Sequence, residues 1–163
     1  AIVDVLNTYV EGFSIKWPND IYYKEDKIAG ILIENTLSSK GIDSCIIGLG
    51  LNVNQQTFTS NAPNPISLHN IIGRDTSVKT LLESILENFN KVYDLVYTNV
   101  DLLRENYFNN LLWNGQMRKY SDASGEFTGK IVDVENDGHL IIEDMEGHKR
   151  RYAFKEVTFL IIH

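Results

Sequence analysis

Apolar residues at positions 2, 3, 6, 9 and 10 fall at helical spacing, so the chain opens on an amphipathic helix that Gly12 closes. Phe13-Ser14-Ile15-Lys16 then alternates as a short strand does, and Pro18-Asn19-Asp20 carries turn chemistry. A second strand at 21–23 leads through the charged turn 24–26 into a β-branched third strand at 27–34, and 43–53 reads as a fourth. A polar loop at 54–65 holds the remaining prolines. Residues 77–97 predict one amphipathic helix with Leu81, Leu82, Ile85, Leu86, Phe89, Val92 and Tyr93 on one side, and 101–113 predict another. Strands followed by helices imply an α+β fold, an antiparallel or mixed sheet with helices packed on one face. From about residue 115 the period shortens. Strands at 126–134, 140–143 and 150–154, parted by turns at Asn136-Asp137-Gly138 and Glu146-Gly147, predict a five-stranded meander closing into a small barrel. The expected domains are therefore 1–114 and 115–163.

The first helical residues follow no Met and no capping residue, which implies that the chain is part of a longer protein. With 163 residues, 43% of them hydrophobic, it can bury one core and a small appended domain. No apolar run nears the ~18 residues of a membrane span and no signal peptide is visible, so a cytoplasmic protein without membrane contact is expected. A lone cysteine, Cys45, lies in an apolar run and reads as a buried small hydrophobe. The net charge of −7 argues against a broad nucleic-acid surface, and Lys149-Arg150-Arg151 reads as a solvated strand edge.

The histidines at 69, 139, 148 and 163 match no zinc spacing, and no metal site is predicted. No Gly-x-Ser-x-Gly nucleophile elbow occurs. Glu143 and Asp144 are adjacent on a strand and face opposite ways, which is wrong for a shared acid–base pair.

Two stretches carry chemistry. On the strand ending at Val53, Gly48, Gly50 and Asn52 share one face while Ile47, Leu49, Leu51 and Val53 share the other. Two glycines on one face mark close approach, either by a ligand or by a packed helix or ring, and Asn52 can donate and accept at the end of that shelf. Lys16 leaves its strand beside Trp17 and Pro18, a stiff collar suited to fixing a cation next to an anion. In a dry site it would steady charge developing in acyl transfer, whereas at an ordinary turn it is a surface lysine. Asp20 either orients Lys16 or joins Asn19 in a simple turn.

The segments Lys-Trp-Pro-Asn-Asp (16–20), Lys-Ile-Ala-Gly-Ile-Leu-Ile-Glu (27–34) and Gly-Leu-Gly-Leu-Asn-Val-Asn (48–54) together resemble the central catalytic segment of biotin protein ligases in order and spacing. The resemblance extends to the helical pair and to a C-terminal Src-homology-3-like barrel, where Phe154-Lys155-Glu156-Val157-Thr158 takes the expected place. It implies a fold related to class II aminoacyl-tRNA synthetases. It also implies formation of biotinyl-5'-AMP from biotin and ATP with Mg2+, then transfer of biotin to a lysine of an acceptor such as the biotin carrier protein of acetyl-CoA carboxylase. By that resemblance Lys16 is the catalytic lysine at the biotin carboxylate and bridging phosphate. Asn19 and Asp20 complete its motif, Ala29 and Gly30 line the ligand, Gly48 and Gly50 form the shelf, and Asn52 lies near the adenylate.

Nothing before Lys16 resembles the family's glycine- and arginine-rich loop or its biotin strand, so the 163 residues alone are expected to be inactive. Two other readings stay open: a lipoate ligase or octanoyltransferase handling another acid, and a non-catalytic module that holds biotin or a carrier domain. Exposed strand edges of such a sheet can pair in a homodimer or with an acceptor domain.

Overall fold

The opening helix is shorter than its apolar period predicts. In the computed structural model, which describes residues 1–39, 41–59 and 64–161, helix α1 covers Ile2–Asn7. Asn7 redirects the chain: its side-chain oxygen accepts the backbone N–H groups of Gly12 and Phe13 at 3.1 and 3.2 Å. Gly12 sits at φ 121°, a region glycine enters without strain. Strands β1 (Phe13–Lys16), β2 (Asp20–Tyr23), β3 (Asp26–Ser38) and β4 (Gly41–Leu51) then form a four-stranded sheet in chain order, every neighbour antiparallel. Helices α2 (Leu68–Ile72), α3 (Val78–Tyr93) and α4 (Leu95–Thr98) complete a first unit, Ala1–Thr98.

The helices pack on one face of this sheet. Phe13, Ile21, Ile28, Ala29 and Val53 meet Val3, Val5 and Leu6 of α1, Leu68 of α2, and Leu81 and Ile85 of α3. Each large side chain buried this way contributes roughly 1.5–3 kcal/mol. The predicted helix over 77–97 breaks at Asp94, and its apolar stripe proves too wide for one contact. Leu81 and Ile85 are buried, whereas Leu82, Leu86, Phe89 and Tyr93, on the neighbouring flank, are exposed.

The β3–β4 hairpin also departs from expectation. Val53 is buried, but Leu49 and Ile47 further out are exposed, as are Leu32 and Ile33 on the paired strand, because no described element covers that end. Cys45 lies on this outer stretch and is exposed, not buried.

The second unit runs from Asn99 to the end of the described residues. Helix α5 (Val100–Asn109) stops short of the predicted residue 113, and Leu111, Leu112 and Trp113 leave the helix to enter the core. Strands β5 (Arg118–Asp122), β6 (Gly125–Val134), β7 (Leu140–Asp144), β8 (Lys149–Tyr152) and β9 (Thr158–Phe159) form an antiparallel sheet in the order β8-β7-β6-β5-β9. Its described pairing is open: β8 and β9 stand at the two ends. Trp113 stacks on Phe159 with centroids 5.5 Å apart, and Tyr120 meets both edge-on. The basic cluster divides. Arg150 binds Asp144 and Asp122, Arg151 binds Glu135 and Asp137, and Lys149 is exposed.

No helix among the described residues is long and apolar enough to cross a membrane. His163 and positions 60–63 of the predicted 54–65 loop lie outside the described residues.

Candidate active site

Three register pairs line up as one row across the sheet. Lys16 faces Asp20, Asp20 faces Gly30, and Gly30 faces Gly50. Directly paired residues share a face, and this one is opposite the face that packs on the helices. A cation and a carboxylate therefore stand beside two positions with no side chain.

Lys16 ends β1, and the next residue, Trp17, is 4% exposed. Burial pulls the Lys16 ammonium below its ordinary pKa of 10.5; Asp20 opposes that shift and Lys27 adds to it. The ammonium lies 5.8 Å from the centroid of the Tyr22 ring, within range of a cation–π contact. Tyr22 is itself buried, and its hydroxyl is pushed up to about 12 by burial and by Asp20 and Asp26, so it stays neutral in the physiological range.

The turn after Lys16 is anchored through Asn19. Its carbonyl accepts the Ile31 N–H at 3.1 Å and its side-chain amide donates to the Ile31 carbonyl. The Trp17–Pro18 peptide is cis.

Asp20 accepts a hydrogen bond from Lys27 Nζ at 2.7 Å. A β-bulge makes this pair. The register shifts between Ile21 and Tyr22, so Ile21 pairs with Ala29 and Tyr22 with Lys27, leaving Ile28 as the extra residue. Ile28 and Ala29 both enter the core, and Lys27 is turned onto the Gly30 side. Regular alternation in the sequence puts Lys27 on the other face, so Lys27 was not legible as a site residue; the consecutive apolar pair Ile28-Ala29 was the available signal.

The remaining candidates fall in distinct places. Gly48 and Gly50 touch only their own sheet: an added Cβ would meet Leu32 Cβ at 3.8 Å and the Gly30 carbonyl at 3.8 Å, respectively. Ala29 is a core residue whose methyl points away from Gly30. Asn52 sits just past β4, where its side-chain amide donates to the Ile66 carbonyl at 3.1 Å and its backbone binds Ile28 and Leu68. It thereby pins the segment that leads into α2. That segment is capped by Ser67, fully buried, whose Oγ accepts the Asn70 N–H at 3.1 Å.

Among the described residues, the one metal-capable grouping is Glu135, Asp137 and His139 in the second unit. Arg151 already binds both of its carboxylates, and it lies outside the row.

Residues 2–52 match the model of the biotin/lipoate A/B protein ligase family. The bifunctional ligase/repressor BirA proteins of Bacillus spizizenii and Bacillus subtilis are each 34% identical over 148 residues, covering 85% of this chain and 44% of theirs. The structure of biotin protein ligase from Aquifex aeolicus in complex with biotin and ATP superposes with a TM-score of 0.72 at 26% identity, covering 96% of this chain and 66% of that one.

The chain is similar to the biotin/lipoate A/B protein ligase family. Its similarity within that family is to the biotin protein ligases, and it spans less than half the length of the Bacillus relatives.

Proposed function

We propose that this chain carries the lysine-bearing half of the active site of a biotin protein ligase. In that reading, the protein joins biotin to ATP as biotinyl-5'-AMP with loss of pyrophosphate, then passes the biotinyl group to a lysine of a biotin carrier domain such as that of acetyl-CoA carboxylase. The observation that carries it is the row itself, a desolvated Lys16 ammonium heading a strip of sheet left bare at Gly30 and Gly50.

A fixed cation in a low-dielectric site stabilises charge developing between a carboxylate and a phosphate more strongly than the same cation in water. Lys16 meets the carboxylate and bridging phosphate. Gly30, Gly48 and Gly50 let a flat ligand lie on the backbone, while Asn19, Asp20 and Asn52 keep the surrounding turns in place. Ala29 contributes through its backbone only.

Mg2+ belongs to this reading as the ion that accompanies ATP. Among the described residues of the row the one carboxylate, Asp20, is bonded to Lys27. Residues 1–114 are assigned to the catalytic part and 115–163 to an SH3-like barrel. The barrel is supported by a contact across the open sheet: Tyr152 on β8 reaches Asp122 at the end of β5 although two strands lie between them.

Biotin-dependent exchange of pyrophosphate into ATP by the protein that carries this chain tests the reading. Lys16→Ala should lower the rate by well over the ~1 kcal/mol of a surface contact. A rate within about threefold of wild type, below 1 kcal/mol, removes Lys16 from the chemistry. Exchange that depends on lipoate or octanoate in place of biotin would assign the other branch of the family.

A further inference from the structure

The bulge at Ile28 brings a second ammonium group to the row. In an unbroken strand Lys27 and Gly30, three residues apart, face opposite ways. Here Lys27 pairs with Tyr22 and Gly30 with Asp20, residues two apart on β2, so both fall on one side of the sheet. Bulges of this kind commonly re-aim a side chain next to a site.

Asp20 then fixes where Lys27 ends. An added Cβ at Gly30 would lie 3.3 Å from Asp20 Oδ1 and 3.5 Å from Lys27 Nζ, so the bare position admits the ion pair. The pair is partly shielded, with side-chain exposures of 29% for Lys27 and 26% for Asp20. An ammonium carries three donors, and Asp20 accepts one of them. Two lysines around one carboxylate leave an excess positive charge, and Lys27 is near enough to shift the ionisation of Lys16. A purely structural cross-strand pair needs neither a second lysine in range nor a bare neighbour.

We propose that Lys27 is a second ligand-binding cation of this site, held by Asp20 beside Gly30, and that the anion it serves is a di- or triphosphate touching Lys16 and Lys27 together. The proposal rests on the reading of Lys16 given above. A lone carboxylate is satisfied by one cation, whereas a phosphoryl chain offers several charged oxygens to two.

The test is a titration of the protein that carries this chain, labelled with 13C at its lysine ε-carbons, with inorganic pyrophosphate and separately with ATP. The ε-carbon signals of Lys16 and Lys27 should move along one saturation curve, and a response to only one of the two compounds identifies the source of the phosphates. Lys27→Met should weaken pyrophosphate binding about five- to tenfold, with Lys27→Arg recovering most of it. Gly30→Ala, which keeps both charges but crowds the pair, should weaken it as well. Lys27→Met binding within about twofold of the unsubstituted protein, while Lys16→Met binds poorly, overturns the proposal and leaves the Lys16 reading intact. Loss of binding in neither variant, or no binding by the unsubstituted protein, overturns both. Where Lys27→Met does not fold, a Lys27 signal that stays still in the unsubstituted protein overturns the proposal by itself.

Discussion

The Tyr152 hydroxyl donates to Asp122 Oδ2 at 2.6 Å, tying the inner side of β8 to the far end of β5. Arg150 reinforces the link: its guanidinium bonds Asp144 at 3.0 Å and Asp122 at 3.3 Å and lies 4.2 Å from the centroid of the Phe127 ring. Asp122 is held below its ordinary pKa of 3.8 by Tyr152, with help from the Ser124 N–H and Arg150 against the cost of burial. At Asp144 burial pushes upward, but the His148 N–H, Arg150 and the Glu146 N–H outweigh it and the net shift is downward.

Groups with depressed folded pKa values stabilise fully above the unfolded carboxylate value and lose that contribution as pH falls through the folded one. The second unit should therefore lose stability below about pH 4. Tyr152→Phe should raise the acid midpoint of unfolding and cost about 1 kcal/mol at neutral pH. Circular dichroism melts across pH 2–7 check both; a variant with an unchanged acid midpoint refutes the link.

Gly129 marks the tightest backbone approach in the second unit. A Cβ there would sit 2.7 Å from Ile142 Cγ2 and 2.8 Å from the Glu143 carbonyl, and the latter is backbone that cannot swing aside. Gly129→Ala should cost about 1–3 kcal/mol, as overpacking does. Gly48→Ala, whose Cβ meets nothing nearer than 3.8 Å, is the contrasting case and should leave the first unit's stability within about 0.5 kcal/mol. Chemical denaturation of both variants separates the two sites.

Much of the sheet was legible from β-branched and aromatic runs parted by turn residues, although β2 buries the consecutive residues Ile21 and Tyr22 on opposite faces. The sequence offered the approach of Asp20 to Lys16 as one of two alternatives, and the tight turn of three residues between them is what pairs the two positions. Three features were not legible. The bulge at Ile28 breaks the period on which face assignment rests, and it hid Lys27. The stripe from Leu81 to Tyr93 reads as one surface in projection, but only the flank meeting α1 is buried. Helix α2 has a single turn of apolar residues and too little length for periodicity. Its signal was chemical, a capping Ser67 with Asn70 three residues on and Gly73 at φ 74° as its stop.

That cap is energetically important despite the helix being short. Ser67 Oγ accepts the Asn70 N–H and contacts the Gln55 carbonyl at 2.5 Å, while Asn70 Oδ1 accepts the Ser67 N–H at 3.2 Å. Ser67→Ala removes the Oγ partner of both groups inside a fully buried site. The expected loss is about 1–2 kcal/mol, measured by chemical denaturation. Ser67→Thr, which keeps the hydroxyl, should recover part of it. Equal destabilisation by both variants would assign the cost to volume rather than to hydrogen bonding.

The ionisation of Lys16 is set by three influences that substitution can separate: burial and the Lys27 charge lower its pKa, and the Asp20 charge raises it. Lys27→Met should therefore raise the Lys16 pKa yet leave it below 10.5, because burial remains. Asp20→Asn should lower it further, since the attraction is lost while the desolvation cost stays. Lysine-selective NMR titration reads both directions. For a lysine whose folded pKa is depressed, the sign of linkage is opposite to that of the carboxylates above. The charged form is the one the fold disfavours, so the first unit gains stability as pH rises through the folded Lys16 value toward 10.5. Lys16→Met should abolish that alkaline gain. A Lys16 that titrates at the free-lysine value would mean that its ammonium is fully hydrated, and the electrostatic argument for the row would fail with it.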